Sequence, residues 1–222
     1  MKKMQALFAL LCCVAMLSGC GSAPAGQAAS ANVSAQSAAK TVAPLPEALK
    51  IDALDGCTFA AGFEASDVAL NDDGMLCVHL TVYDYERFDL ADIGQLAVGD
   101  TLVIDQKDMV VETLEEDDSG YITINGGLEA GGCELKTDED GVYYENLPDD
   151  AKSYHVLGEA TLPIDQDFVF KDSSDLEKPE QKMYAGDFLM AMESSDRSFT
   201  PYATSVSVEN GKIFKITQVY VP

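Results

Sequence analysis

The sequence predicts a mainly β fold, an antiparallel barrel or sandwich with few short helices and a C-terminal β-hairpin. Three features carry this reading. Leu76, Val78, Leu80 and Val82 alternate with Cys77, His79, Thr81 and Tyr83, the period of a half-buried strand. Residues 96–125 carry short β-branched runs separated by turn residues, the pattern of a β-meander. Near the C-terminus, Asn210-Gly211 lies between two apolar runs, and both central positions of a type I′ hairpin turn require positive φ.

Each element follows from local chemistry. Leu102 and Ile104 come after a turn at Gly99-Asp100, and Met109-Val110-Val111 begins the next strand. The acidic run Glu115 to Ser119 ends in Gly120 and reads as a turn, after which Tyr121-Ile122-Thr123-Ile124-Asn125 returns. In the terminal hairpin Val208 is expected opposite Ile213, and Glu209 opposite Lys212. Helical signals are few. Phe88 to Gly94 suits one or two turns closed by Gly94, and Ala185 to Met192 suits a short helix or an edge strand. The stretch Leu96-Ala97-Val98-Gly99-Asp100-Thr101-Leu102-Val103-Ile104 resembles the opening of small SH3-like β-barrels.

Charge divides the chain. All 38 Asp and Glu follow residue 46, as do 11 of the 14 Lys and Arg, so residues 47–222 carry a net −27. Phosphate backbones are repelled by such a surface, which excludes a generic nucleic-acid binder. Residues 47–222 suit one domain, or two small subdomains split near 158. Residues 21–46 are built mainly from Gly, Ala, Ser, Gln, Pro and Asn, with one charge, Lys40, and almost no large apolar side chain. Such a composition is expected to form a flexible tether with a reach of roughly 25–30 Å.

The N-terminus reads as an export signal. Lys2-Lys3 precedes a short apolar run, Met4 to Met16, too short for a membrane span but suited to a secretory leader. Leu17-Ser18-Gly19-Cys20 resembles the lipobox of bacterial lipoproteins, where the chain is cut before the cysteine and diacylated on its sulfur. The resemblance implies a signal peptide over 1–19, a mature chain starting at Cys20, and a lipid anchor holding the domain on the extracytoplasmic face of the cell membrane. Val-Glu-Asn-Gly-Lys-Ile followed by Val-Tyr-Val-Pro at the C-terminus resembles the tail of bacterial surface lipoproteins that carry no assigned activity.

Catalytic signals are sparse. His79 and His155 are the two histidines. Cys77 and His79 share one strand face about 7 Å apart, beyond the reach of a thiolate–imidazole pair. There is no Gly-x-Ser-x-Gly elbow, and Ser37-Ala38-Ala39-Lys40 spells Ser-x-x-Lys only within the tether. Gly126-Gly127 and Gly131-Gly132 read as paired turns or a bulge rather than a phosphate cradle, because the surroundings are acidic. Cys57, Cys77 and Cys133 allow one disulfide at most.

One metal expectation arises. Asp138, Asp140 and Glu145 lie around Gly141, and calcium takes several carboxylate oxygens from a turn. An EF-hand register fails, since it places Lys136 and Leu147 at ligand positions; a solvated Asp-Gly hairpin is the competing reading. Asn71-Asp72-Asp73-Gly74 offers the same pair of readings. Tyr83, Tyr85, Phe88, Tyr143, Tyr144 and Tyr154 form a possible recognition surface. The expected function is a non-enzymatic, membrane-tethered binding or interaction module whose partner is an extracytoplasmic ligand or protein, with no cofactor other than a possible calcium ion. Two alternatives stand beside it: an envelope-acting hydrolase using paired carboxylates, and a calcium-stabilised structural module.

Overall fold

The computed structural model describes residues 38–221. Its strands in chain order are β1 (Thr41–Val42), β2 (Thr58–Glu64), β3 (Val68–Leu70) and β4 (Leu76–Tyr85). After the one-turn helix α1 (Leu90–Ile93) come β5 (Thr101–Ile104), β6 (Lys107–Val110), β7 (Leu114–Glu116), β8 (Ile122–Ile124), β9 (Cys133–Thr137), β10 (Tyr143–Leu147) and β11 (Ala151–Lys152). The chain closes with β12 (Tyr154–Ser173), β13 (Gln181–Tyr184), helix α2 (Ala185–Glu193), β14 (Ser198–Phe199), β15 (Thr204–Glu209) and β16 (Lys212–Val219).

Five of these strands close on themselves. β4 pairs antiparallel with β2, β2 with β15 and β15 with β16. The 20-residue β12 completes the ring. Its first half runs antiparallel to β4, from Tyr154↔Tyr85 to Pro163↔Cys77, and its second half runs parallel to β16, from Ile164↔Ile213 to Ser173↔Val219. A strand this long can bend from one partner to the other, and closure leaves the ring no unpaired edge. A parallel pair needs a crossover, and the segment carrying α2 and β15 supplies it. This connectivity, with a helix between the third and fourth barrel strands, is that of an OB-type Greek-key barrel.

The alternation expected in β4 holds from Val78 onward, where Val78, Leu80 and Val82 are buried and His79 faces solvent, whereas Cys77, expected on the outer face, is buried. They join Phe59, Ala61 and Phe63 of β2, Phe168 and Phe170 of β12, and Ile213 and Ile216 of β16 in one core. The ambiguous Ala185–Met192 segment is helical, and α2 places Phe188 5.2 Å from Phe168 and 5.1 Å from Phe170 between ring centroids. The C-terminal hairpin forms in the expected register, Val208↔Ile213 and Glu209↔Lys212. Asn210 and Gly211 both have positive φ, 54° and 72°.

The possible split near residue 158 is replaced by an insertion. Residues 86–153 leave the barrel after β4 and return at β12, with a separate core of Phe88, Ile93, Leu102, Ile104, Ile122, Ile124, Cys133, Leu135 and Tyr143. Residue 158 lies inside β12, where pairing with β4 shifts register between Val156 and Gly158. The SH3-like stretch 96–104 belongs to this insertion, outside the closed barrel. The expected meander splits between two sheets, because β5 and β6 pair with β1 whereas β7 and β8 continue into β9, β10 and β11. Regular structure is also present before the expected boundary at 46. Thr41–Val42 pairs with β5, Val42 is buried in the insertion's core, and the Lys40 backbone N–H donates to Asp100 Oδ1 at 2.8 Å, so strand pairing, hydrogen bonds and one buried apolar side chain together dock the segment.

Candidate functional site

The site grows from a polar residue at an inward position. Asp84 follows Val78, Leu80 and Val82 in the inward phase of β4 and is 2% exposed. Its Oδ1 accepts from Arg87 Nη2 at 2.7 Å and from the Tyr85 backbone N–H at 2.9 Å. Its Oδ2 has no hydrogen-bond partner among the described residues. Thr204 opens β15, is 3% exposed and likewise leaves its Oγ1 without a partner. Both residues line an open groove of about 520 Å³, within the roughly 300–1,000 Å³ typical of small-molecule sites.

Tyrosines form much of the groove wall. Tyr83, Tyr85, Tyr154 and Tyr202 line it. Tyr154 packs edge-on against Tyr202 at 5.6 Å and against Tyr85 at 6.1 Å. Two cations lean on the Tyr85 ring: Arg87 lies 4.0 Å and Lys152 Nζ 3.8 Å from its centroid. Lys152 also sits 4.9 Å from Tyr144, and its nearest carboxylate, Asp138, is 3.9 Å away. Burial lowers the Lys152 pKa, and Asp138 partly offsets this. Burial raises the phenols of Tyr85 and Tyr154, so both stay neutral donors at physiological pH. The result is two half-sheltered cations and an aromatic wall on a domain of net charge −27.

A smaller cavity of about 280 Å³ adjoins the groove and shares Tyr85, Arg87 and Tyr154 with it. Glu47, Glu86, Asp105, Glu145 and His155 line it. Burial pushes the Glu145 carboxyl up, a hydrogen bond from Ser153 opposes this, and the charges of Asp105 and Glu86 add to the rise. Asp105, exposed and paired with Lys107 at 2.6 Å, is held below the usual carboxylate range by that lysine.

The residues expected to bind calcium are divided between these surfaces. Asp138 closes the β9–β10 turn: its Oδ1 accepts the Asp140 backbone N–H at 2.9 Å and its Oδ2 accepts the Tyr85 hydroxyl at 3.0 Å. Asp140 lines the groove, whereas Glu145 lines the smaller cavity. Among the described residues no three His, Cys, Asp or Glu side chains are grouped to hold a metal ion. At Asn71 the side chain accepts the backbone N–H groups of Asp73 and Met75, capping its own turn. Cys20 and the lipobox lie outside the described residues.

Of the expected aromatic surface, Tyr83, Tyr85 and Tyr154 line the groove and Tyr144 packs edge-on against Tyr85. Phe88 and Tyr143 belong to the insertion's core. Arg87, Lys152, Thr204 and Tyr202 carry no local signature and are brought in by topology. Asp84 did carry one, being the polar residue in a run of inward apolar positions. Cys77 is buried and His79 bonds Thr161 at 3.0 Å, so they form no nucleophilic pair. Cys57, Cys77 and Cys133 are free thiols, and burial first, then Glu145 and Glu134, pushes Cys133 up to about 12. Comparison with known proteins found no matching family model, no matching curated protein and no matching solved structure.

Proposed function

We propose that this chain is a lipid-tethered, extracytoplasmic binding module that holds its ligand in the tyrosine-lined groove and performs no chemistry on it. The observation that carries the binding reading is the pair of buried, unpartnered oxygens of Asp84 and Thr204 at an open cavity. An unsatisfied buried polar group costs about 1–3 kcal/mol, a cost that a bound ligand removes. The tether rests on the lipobox resemblance at Leu17–Cys20. Its test is incorporation of labelled palmitate by the full chain in a bacterial host. Incorporation that disappears in Cys20→Ala, with loss of the protein from the membrane fraction, supports it; label retained in that variant contradicts it.

A hydrolase is the second reading, and the smaller cavity favours it. Glu145 and Asp105 line one cavity with pKa values displaced in opposite directions, the arrangement that assigns acid and base roles in carboxylate enzymes. It predicts turnover of an envelope glycan that falls by orders of magnitude in Glu145→Gln. A calcium-stabilised module, the third reading, predicts a Tm that rises by several degrees with millimolar calcium but not with magnesium.

A further inference from the structure

The chemistry of the groove defines what fits it. A ligand that donates hydrogen bonds suits the groove, because Asp84 lines it and its buried carboxylate oxygen Oδ2 can only accept and lacks a partner among the described residues. It must also accept them, because Lys152 is held by tyrosine rings and has no hydrogen-bond acceptor among the described residues. It must present an apolar face to Tyr154 and Tyr202, whose edge-to-face packing leaves Tyr202 48% exposed. And it must carry little negative charge, since Asp84, Asp138 and Asp140 already offset the two cations inside a field of net −27.

We infer that the groove binds a saccharide, one or two rings of a neutral or N-acetylated oligosaccharide. The inference rests on the groove being the ligand site of a binding module. Sugar hydroxyls donate and accept from the same atom, which answers Asp84, Thr204 and Lys152 together, and the C–H face of a pyranose ring stacks on amphipathic tyrosine. An extended peptide fits less well. Peptides commonly bind by adding a strand to an open sheet edge, but β2 lies between β4 and β15, and β15 lies between β2 and β16. The groove offers no such edge. Phosphate-bearing ligands meet three carboxylates and the repulsion of the whole domain.

The test uses the full chain in a sugar-free detergent such as lauryldimethylamine oxide. An array of immobilised oligosaccharides spanning hexoses, N-acetylhexosamines and uronic acids selects the probe, and titration with that probe follows tyrosine emission, unmasked because the chain contains no tryptophan. Saturable binding to a neutral or N-acetylated sugar is expected, weakened about tenfold by Tyr202→Ala and by Lys152→Met, with Tm lowered by only a few degrees in Tyr202→Ala, which loses its edge-on contact with Tyr154. No sugar bound while a peptide library yields groove binders sensitive to Tyr202→Ala would overturn the saccharide and leave the binding module standing. Exclusive binding of uronic acids would overturn the neutral ligand in the same way. Absence of any sugar or peptide binder would overturn both the saccharide and the groove as a ligand site.

Discussion

Asp84 is the residue on which the site turns. Its carboxylate is buried with one oxygen held by Arg87 and the other free. Removing one partner of a buried ion pair costs about 3–5 kcal/mol because the remaining charge is stranded. Arg87→Met is therefore expected to destabilise by about that amount, whereas Asp84→Asn, which removes the charge, is expected to cost less; urea unfolding of both variants gives the comparison. Glu145 provides a pH prediction. Its folded pKa is raised chiefly by burial, so the folded chain binds this proton more tightly than the unfolded chain. The resulting stability is present below the unfolded carboxyl pKa and is lost as pH rises through the folded value. Glu145→Gln is expected to raise Tm at pH 7, with the gain vanishing near about pH 4; equal gains at both pH values would contradict this origin. At Gly132 a Cβ would stand 1.9 Å from the Ile124 carbonyl oxygen. Gly132→Ala must shift backbone and is expected to cost about 3 kcal/mol in chemical denaturation.

At the scale of elements, the sequence was most legible where one local rule sufficed. The Asn210-Gly211 hairpin and the alternation of β4 were readable because turn φ and strand period are properties of neighbouring residues. Gly211 sits at φ 72°, where Gly211→Ala is expected to cost about 1 kcal/mol. The Ala185–Met192 segment is ambiguous in sequence because its apolar residues cluster at 188–190 and 192 without a clean period of two or 3.6. Packing of Phe188 between Phe168 and Phe170 decides for the helix, and these contacts come from distant sequence. Phe188→Ala removes a fully buried ring and is expected to cost about 3–5 kcal/mol; a cost below about 1 kcal/mol, read from urea unfolding, would show that α2 does not cap the core.

At the scale of the whole molecule, closure of the barrel and the insertion were not legible. β4 and β12 are separated by an entire second core, and only their pairing reveals that residues 86–153 interrupt one barrel. The groove was hidden for the same reason, since Tyr83, Lys152 and Tyr202 come from three separate parts of the chain. The acidic composition was plain from the start, and its consequence is global. A surface of net −27 repels itself, and salt screens that repulsion, so Tm is expected to rise between 10 mM and 0.5 M sodium chloride.

The central claim, that the groove is the ligand site, is tested most directly by the ring resonances of the nine tyrosines in the full chain, recorded by NMR during titration with a fragmented cell-envelope extract. Saturable shifts are expected at Tyr83, Tyr85, Tyr154 and Tyr202, while Tyr184 on β13 and Tyr121, whose ring lies 5.0 Å from Lys136 Nζ, stay unmoved. Shifts confined to Tyr184 or Tyr121, or no shift at any of the nine, would contradict it.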